Sequence, residues 1–542
     1  MSTKNDARTP SSYAEWRKMR LLQRLEMASA ETEPWRFLIT VVVIVGAAED
    51  ATALSLTLAS LGAQIYRNIE VLVIGAAAAV PADLDFFSHR GLFLEPGRDA
   101  IDFLADAACD RLWRGDYLIF AQAGAAFDPD AFMLLNAAVN QATDPAPELV
   151  VCDHDRQAGL TEFAEPSFLP GWDPDFILSF DYIGAAFMAS RALVLSRRSG
   201  VRPESLHDWL KRLAAASQKL KTGHVAETIL HIPQHAPSPQ PLKASPPQLG
   251  PAATMAIVIP NRNRPDLLSR CVALLELPNQ FKPELVIVDN ASDDPRTLAI
   301  YDQLRARYDA RVVPMNQPLN FSRMINIGVA ACTSDVVLLL NNDVEVTAQG
   351  LLEQILAHAR RPEVGVVGSR LLYRDDTLQH GGMLLGRGPT QEHPVMASYV
   401  LRGAGRADCG YLHQLDTIRN CQAITGAMLA VRREVFDQVG GFDEVVLPAE
   451  FNDVDFCLKV RRAGLRVIVL PLDGIYHNER ASLGSAPPDL VPMTQTESMR
   501  VMVARWEEYF LHDPFRSPWV DVAESPSAKF PWSEPRDPEM PS

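Results

Sequence analysis

Three polar residues stop an apolar run in the C-terminal half of the sequence. Asn341, Asn342 and Asp343 follow the continuous hydrophobic stretch from Val336 to Leu340. Such a stretch predicts a buried strand, and polar groups at its end lie at the carboxyl edge of a parallel sheet, where open α/β sheets bind ligands. A carboxylate beside two amides suits a hard divalent cation that holds a diphosphate. Taken alone, the triplet is equally consistent with a turn.

The composition is that of a globular protein with an acidic balance. The 542 residues suffice for roughly two to four domains, and a net charge of −16 argues against nucleic acid as the main partner. The seven cysteines include no CxxC pair, which indicates a reducing compartment without a disulfide framework or zinc site. The longest apolar run, 37–48, is too short to span a bilayer and lacks the layout of a signal peptide. We therefore expect a cytoplasmic protein, with peripheral contact at the inner membrane as an open alternative.

The sequence repeats itself around a linker. Seven prolines lie between Pro233 and Pro251, which predicts an extended, semi-rigid spacer. Segments that contain strand patterns, at 39–50, 70–75 and 115–124, precede it, and segments at 256–264, 284–292 and 334–343 follow it in the same order. This predicts two α/β units in tandem.

The two units differ where chemistry would take place. The first has Ala121, Gln122 and Ala123 at the end of its third strand, and Gly75 at the end of its second, where the second unit has Asp289. Small apolar residues cannot hold a metal ion. The polar cluster CDHD at 152–155 contains His154, for which no partner ligand is identifiable, so we expect a solvated strand end there.

An ordered series of motifs in the second unit resembles the family 2 glycosyltransferases, which are inverting enzymes with the GT-A fold. More narrowly it resembles the bacterial rhamnosyltransferase-like members that build O-antigen and other surface polysaccharides. The matching segments are VIPNRNR at 258–264, VIVDNASDD at 286–294, NFSRMINIGVA at 320–330, LLLNNDVEV at 338–346, ITGAMLAVRREVFDQVGGFDE at 424–444, FNDVDFCLKVRRAGLRV at 451–467 and IYHNE at 475–479. The first unit resembles the same fold only loosely, as a degenerate copy.

The resemblance implies a nucleotide-sugar site along the sheet edge. It assigns Asp289 to the pyrimidine ring of the donor, and Pro260, Asn261, Asn341 and Asn342 to the donor side of the site. The alternative for Asp289 is a cap on the following turn.

The resemblance also implies a divalent cation, Mg²⁺ or Mn²⁺, held by Asp343 and His477. Asn341 stands where the family has the first acid of its Asp-x-Asp motif.

The base candidate lies in FNDVDFCLKVRRAG, which reads as a helix with Asn452 as its N-cap and Gly464 as its stop. The resemblance makes Asp453 the general base. Asp455 points elsewhere, because residues i and i+2 do not share a helix face. The alternative is that Asp453 only complements the helix dipole.

The implied function is direct displacement: an acceptor hydroxyl on a glycan or lipid-linked acceptor attacks the anomeric carbon of a nucleoside diphosphate sugar, and the configuration inverts. Two alternatives stay open, a catalytically silent nucleotide-sugar-binding scaffold and a sugar nucleotidyltransferase. The latter class needs a Gly-rich basic loop after its first strand, and PNRNRPD at 260–266 has no glycine.

The predicted organisation has five parts. They are an amphipathic helix at 1–30, which either packs on the fold or touches a membrane, a degenerate GT-A-like domain at 31–232, the linker at 233–253, the catalytic domain at 254–520 and a disordered tail at 521–542. The Gly-rich stretch at 378–393 is interpreted as an acceptor-side loop.

Overall fold

The computed structural model of the chain describes residues 10–28, 35–46, 51–75, 92–140, 145–157, 159, 161–197, 201–216, 220–242, 247, 249, 253–278, 280–387, 390, 393–478, 495–523 and 525–532. The chain divides into two compact units. Unit 1 comprises Met1–Gln240, Arg516–Asp521 and Lys529–Glu539, and unit 2 comprises Pro241–Phe515, Val522–Ala528 and Met540–Ser542. The division after Gln240 falls inside the proline-rich stretch.

Unit 1 is an α/β unit around one mixed sheet. Its elements are α1 (Tyr13–Ala28), β1 (Ile39–Val45), α2 (Ala51–Gly62), β2 (Ile69–Gly75), β3 (Leu92–Pro96), α3 (Ala100–Ala105), β4 (Tyr117–Gln122), β5 (Ala126–Phe127), α4 (Ala131–Asn140), β6 (Leu149–Gln157), β7 (Phe163–Ser167), α5 (Phe176–Ser179), β8 (Phe187–Ser190), α6 (Arg191–Ser196), α7 (Leu206–Ala215) and β9 (Thr222–Pro233). The strand order is β3-β2-β1-β4-β8-β6-β9-β5, and β7 pairs with β6.

Unit 2 repeats this plan. Its elements are β10 (Met255–Asn261), α8 (Pro265–Val272), β11 (Glu284–Asp289), α9 (Pro295–Tyr308), β12 (Arg311–Pro314), α10 (Phe321–Ala330), β13 (Val336–Leu340), β14 (Val344–Val346), α11 (Leu351–Ala359), β15 (Val364–Ser369), β16 (Leu371–Leu372), β17 (Leu378–His380), β18 (Met383–Arg387), β19 (Val395–Tyr399), β20 (Arg419–Asn420), β21 (Met428–Arg432), α12 (Arg433–Gln438), α13 (Asn452–Arg462), β22 (Arg466–Leu470), β23 (Ile475–His477) and α14 (Gln495–Leu511).

Seven strands of the main sheet have the same order and the same directions in the two units. The main sheet of unit 2 runs β12-β11-β10-β13-β21-β15-β22-β20, so that β10 to β13 correspond to β1 to β4, and β21, β15 and β22 correspond to β8, β6 and β9. In both units the fifth strand of this order, β8 or β21, is antiparallel to its two neighbours. The predicted fold of two tandem GT-A-like α/β units is confirmed.

The central strands of unit 2 are buried on both faces because their residues alternate between two cores. Ala256 and Val258 of β10 face one core, and Met255, Ile257 and Ile259 face the other. Side chains of a strand point to opposite faces in turn, so a strand covered by helices on both sides needs a continuous apolar run. This is the physical reason that the run before Asn341 is uninterrupted.

The N-terminal helix is part of unit 1. Tyr13 and Trp16 of α1 are buried, and the Trp16 ring packs edge-on against Phe168 at 5.3 Å between centroids. Of the two predicted roles for the segment 1–30, packing on the fold is the one that the described part, 10–28, displays.

The C-terminal segment corrects the prediction of a disordered tail from residue 521. Trp532 lies 5.2 Å from the Tyr13 ring and 5.6 Å from Trp16, and Asp521 and Lys529 form a β-bridge. The polar composition of the tail concealed its aromatic residues, which supply enough apolar surface to anchor it. Residues 533–542 of the predicted tail lie outside the described residues.

We predict that Gly328→Val in α10 destabilises unit 2. A Cβ at Gly328 would lie 2.3 Å from Cγ1 of Val258 and 3.0 Å from Cγ2 of Val288, so a larger side chain must push the helix off β10 and β11. The free energy of unfolding should fall by about 2–3 kcal/mol, measured by urea denaturation. The control is Gly386→Val on β18, where no atom lies within 4 Å of the added Cβ. Equal stability of the two variants would contradict this account of the packing.

Candidate glycosyltransferase site

The carboxyl edge of the β10, β11 and β13 strands gathers the sequence candidates. Asn261 ends β10 and lies in register with Asp289, which ends β11, while Asn341 directly follows β13. The β10–β13 pairing stops at Val258, two residues before Pro260. Proline has no N–H to donate to a ladder, so the two strands separate at this point. Such a crevice is where open α/β sheets bind ligands.

Asp289 is held rigidly at this edge. The hydroxyl of Tyr301 donates to Asp289 Oδ1 at 2.8 Å, and both the backbone N–H and the hydroxyl of Ser292 donate to the same carboxylate. Burial, together with the nearby Asp289, raises the pKa of Tyr301, which keeps its hydroxyl proton available for this bond. A carboxylate fixed in this way can accept an N–H from a ligand without first being ordered.

Asn261 and Asn342 bind each other. The Asn342 amide donates to Asn261 Oδ1 at 2.6 Å, and the Asn261 amide donates to the Tyr301 hydroxyl at 2.7 Å. Both asparagines are buried. The two side chains therefore connect the ends of β10 and β13 to the tyrosine that fixes Asp289. Their contact with a donor stays a prediction, as does that of Pro260.

A short antiparallel ladder brings Asp343 and His477 together. Val344 of β14 pairs with His477 of β23, and Nε2 of His477 lies 3.3 Å from Oδ1 of Asp343. The other ring nitrogen, Nδ1, lies 2.8 Å from Oε1 of Gln379. The amide oxygen of Gln379 accepts a hydrogen bond from the Nδ1–H group. This bond orients the ring so that Nε2 points towards the carboxylate of Asp343. The sequence analysis predicted both residues of this pair.

The donor set around Asp343 fits a hard divalent cation. Asp343 and His477 are buried, and Oδ1 of Asn341 is buried without a hydrogen-bond partner among the described residues. A buried amide oxygen without a partner is energetically unfavourable unless something binds it. Among the described residues no group of three or more His, Cys, Asp or Glu side chains could hold a metal by itself. A site with one carboxylate and one imidazole leaves coordination positions for phosphate oxygens.

Asp453 lies in the first turn of α13. Its Oδ2 accepts the backbone N–H of Gly426 at 2.8 Å, and its Oδ1 accepts that of Val454 at 2.8 Å. Burial, assisted by the charge of Glu450, raises the pKa of Asp453, although the backbone hydrogen bonds oppose the rise. A carboxylate with a raised pKa is a stronger base than an ordinary aspartate.

The start of α13 differs from the prediction by one residue. Phe451, not Asn452, is the N-cap, with a left-handed backbone (φ 59°) and no capping side chain. Asn452 is the first helical residue, and its amide donates to the Ser322 hydroxyl. The prediction that the helix stops at Gly464 is close to the structure. The C-cap is Ala463, and Gly464 follows it with a left-handed backbone (φ 83°).

Asp455 has a structural environment. It is fully buried, and its carboxylate contacts Lys459 at 2.7 Å, Arg505 at 3.1 Å and the indole N–H of Trp506 at 2.9 Å. The side chain therefore ties α13 to α14. This separation from Asp453 follows from the helical geometry invoked in the sequence analysis.

Sequence reasoning missed Gln379 and Tyr301, which hold His477 and Asp289. It also interpreted 378–393 as an acceptor-side loop, whereas Leu378–His380 is the buried strand β17 and Met383–Arg387 is β18. The adjacency of a polar Gln379 and His380 in an otherwise apolar and Gly-rich stretch was the available signal. The contacts of Tyr301 carried no signal in the local sequence.

The corresponding edge of unit 1 lacks carboxylates at the strand ends, as predicted. Ala121 and Ala123 are buried, and a Cβ at Gly75 would lie 2.1 Å from the carbonyl oxygen of Val45.

The CDHD cluster of unit 1 is not the solvated strand end that we expected. It lies within β6, and burial lowers the pKa of His154 to about 4.

Comparison with known proteins agrees with this geometry. Residues 256–440 match the model of glycosyl transferase family 2. The O-antigen biosynthesis protein RfbC of Myxococcus xanthus is 27% identical over 478 residues, which are 78% of this chain and 36% of that protein. The uncharacterized protein y4gI of Sinorhizobium fredii is 28% identical over 448 residues, 75% of this chain and 48% of that protein.

A third relative matches a smaller part of the chain. The N-acetylglucosaminyl-diphospho-decaprenol L-rhamnosyltransferase of Mycobacterium tuberculosis is 25% identical over 243 residues, 41% of this chain and 74% of that enzyme. The chain spans half or less of the length of the first two relatives. The family match includes Asp289 and Asp343 and ends before Asp453 and His477. Unit 2 thus contains, at residues 256–440, a segment that matches glycosyl transferase family 2.

Proposed function

We propose that unit 2 transfers a sugar from a nucleoside diphosphate sugar to a hydroxyl of a glycan or lipid-linked acceptor, with inversion, in the synthesis of a cell-surface polysaccharide. One observation carries the proposal. Two adjacent residues, Gly426 and Ala427, contact both parts of the proposed site. The Gly426 N–H donates to Asp453, the base candidate, and the Ala427 carbonyl accepts from the Asn341 N–H at 2.9 Å. A proton acceptor and a cation site thus lie on two sides of one short turn.

The donor lies along the edge formed by β10, β11 and β13. Asp289, fixed by Tyr301 and Ser292, accepts an N–H of the donor's nucleobase. The part of the donor between the nucleobase and the diphosphate contacts Pro260, Asn261 and Asn342. Asp343, His477 and the unpartnered Oδ1 of Asn341 hold Mg²⁺ or Mn²⁺, which, when bound, supplies positive charge to the leaving diphosphate.

Asp453 takes the proton of the acceptor hydroxyl. Its two backbone hydrogen bonds hold both carboxylate oxygens in place, and its raised pKa brings its basicity closer to neutral pH. The hydroxyl then attacks the anomeric carbon opposite the diphosphate, which inverts the configuration. The similarity to RfbC and to the mycobacterial rhamnosyltransferase supports an acceptor in surface-polysaccharide synthesis.

A site at the cytoplasmic face of the inner membrane, reached by peripheral contact, is consistent with this acceptor class and stays a prediction. None of the described helices has the length and apolar character needed to cross a bilayer.

We expect Asp453→Asn to lower turnover about 100-fold or more, because it removes the general base and leaves the donor edge unchanged. The assay is transfer or slow hydrolysis over a panel of nucleoside diphosphate sugars. For the unaltered protein the acid limb of the rate should lie above the ordinary aspartate pKa of about 4, and the variant should lose it. The base must be ionised, so the rate rises as the pH rises through its pKa.

Asp455→Asn is the matched control for that experiment. It should reduce the free energy of unfolding by about 2–3 kcal/mol, since it removes the buried charge that pairs with Lys459 and Arg505, while the folded fraction keeps its turnover. A larger loss of turnover at Asp455 than at Asp453 would refute the assignment of the base. Donor binding without turnover across the panel would favour the silent-scaffold alternative.

We expect unit 2 to bind a nucleoside diphosphate only with a divalent cation. Calorimetry of UDP, GDP and dTDP with MnCl₂ or with EDTA measures this. Asp343→Asn should abolish the dependence, because it removes the charged ligand of the site. Equal affinity in MnCl₂ and EDTA would defeat the metal assignment.

Gln379→Ala should weaken Mn²⁺ binding by about 10–100-fold, the usual effect of losing a residue that orients a histidine ligand. The alanine leaves Nδ1 of His477 without its acceptor, so the ring is no longer held with Nε2 towards Asp343. The readout is the free Mn²⁺ signal in electron paramagnetic resonance, without donor. Gln379→Glu keeps an acceptor oxygen and should retain the affinity. An unchanged affinity in the alanine variant would rule out the orienting role.

A further inference from the structure

Unit 1 has a histidine at the position that His477 occupies in unit 2. His231 of β9 pairs with Ala126 of β5, as His477 of β23 pairs with Val344 of β14. β5 follows β4 in the chain as β14 follows β13, and the ladder then continues through β6 and β7 as it continues through β16 and β17. The two histidines therefore lie at corresponding places in the duplicated fold.

The two rings also have similar contacts. Nδ1 of His231 meets the carboxylate of Asp155 at 2.5 Å, and Nε2 lies 3.0 Å from Oδ1 of Asp128. In unit 2, Nδ1 of His477 meets an amide oxygen and Nε2 lies near the carboxylate of Asp343. In each unit one ring nitrogen contacts a residue of another strand, β6 in unit 1 and β17 in unit 2, and the other nitrogen faces an acid.

In unit 1 the place beside Nε2 of the histidine holds a cation from the protein itself, the side chain of Arg17. Nη2 of Arg17, on helix α1, lies 2.8 Å from Nε2 of His231 and forms an ion pair with Oδ1 of Asp128. Its Nε lies 3.4 Å from Asp155. The plane of the guanidinium stacks on the Phe163 ring, 3.6 Å from the centroid, and Arg17 is only 8% exposed.

The second buried arginine of α1, Arg24, pairs with other acidic groups, so Arg17 is the arginine that contacts His231. Arg24 of the same helix pairs with the other oxygen of Asp128 at 2.6 Å, with Asp130 at 2.9 Å and with Glu227 at 2.9 Å. The Tyr13 hydroxyl donates to Asp155. Burial by itself would raise the pKa of Asp128, yet its hydrogen bond to His231 and the charges of His231, Arg17 and Arg24 lower it to about 2.

We infer that unit 1 retains a cation-binding site, built from Asp128, Asp155, His231 and Phe163, and that the guanidinium of Arg17 fills it permanently. The guanidinium of Arg17 lies over the aromatic face of Phe163 and pairs with Asp128 and Asp155, a set of contacts that a spherical ammonium group does not reproduce. Helix α1 thereby closes this place to a metal ion and to a diphosphate. The inference does not depend on the activity of unit 2.

The test is Arg17→Ala in the full chain, with Arg20→Ala as the control. Arg20 lies on the same helix and pairs with Glu227, but its side chain is 27% exposed. Breaking the buried pair should lower the unfolding temperature of unit 1 by about 6–20 °C, and the control by less than about 4 °C. Hydrogen exchange in peptides from α1 and β9 assigns the loss to unit 1.

Guanidinium chloride, far below denaturing concentrations, should restore part of the unfolding temperature and the protection of β9 in Arg17→Ala. Sodium chloride and ammonium chloride at the same concentration should not. A deficit that all three salts change equally, or an alanine variant as stable as the unaltered protein, would overturn the inference.

Two further variants keep the test decisive if Arg17→Ala does not fold. Arg17→Lys keeps the charge without the plane, so it should fold and still unfold below the unaltered protein by several degrees. Arg17→Met with Asp128→Asn removes both charges and should be more stable than Arg17→Met alone. A lysine variant with full stability would show that charge alone suffices and would refute a guanidinium-specific site.

Discussion

The site of unit 2 depends on the three-residue ladder between β14 and β23. This ladder fixes an acidic residue just before one strand and an imidazole at the end of the other, at 3.3 Å and mostly out of water. Burial of such groups is unfavourable unless each polar atom is compensated. Gln379 compensates one nitrogen of His477, and the other lies 3.3 Å from Asp343. The edge of the main sheet supplies the rest: the β10–β13 ladder ends at Val258, and Pro260 cannot extend it.

The two units resolve the same electrostatic problem in different ways. Both keep the ladder, the oriented histidine and an acid on its Nε2 side. Among its described residues unit 2 carries a buried amide oxygen without a hydrogen-bond partner, Oδ1 of Asn341, two residues before Asp343. Unit 1 surrounds its histidine with Arg17, Arg24 and an aromatic ring. A degenerate copy that had merely lost its catalytic residues would retain uncompensated buried acids. The N-terminal helix therefore belongs to the fold of unit 1 as an integral element.

Local patterns predicted the framework well, and long-range partners set the limit. The apolar runs that became β10, β11 and β13 are buried on both faces, so their sequence has one interpretation, and the residues that follow them were placed correctly at one edge. The choice of Asp453 came from the family resemblance, and helical spacing only predicted that Asp455 points elsewhere, which agrees with the buried contacts of Asp455 to α14. The partners of Asn342 and Asp289 could not be predicted, because Asn261 and Tyr301 carry no local mark of these contacts. Gln379, the partner of His477, was marked only as a polar residue in an apolar, Gly-rich stretch. CDHD was misjudged for the same reason: charged residues indicate solvent unless their partners are known.

Asp453 shows how far the site departs from what folding alone would select. Burial raises its pKa above the value that it has in the unfolded chain. A group shifted in this direction contributes to stability below its unfolded pKa, near pH 4, and that contribution is lost as the pH rises through the folded pKa. At neutral pH the ionised carboxylate therefore opposes folding, and the N–H groups of Gly426 and Val454 compensate only part of this. An asparagine would accept the same kind of hydrogen bond without the charge. The stability of the helix therefore does not account for a carboxylate at this position, whereas the proposed role of Asp453 as general base does.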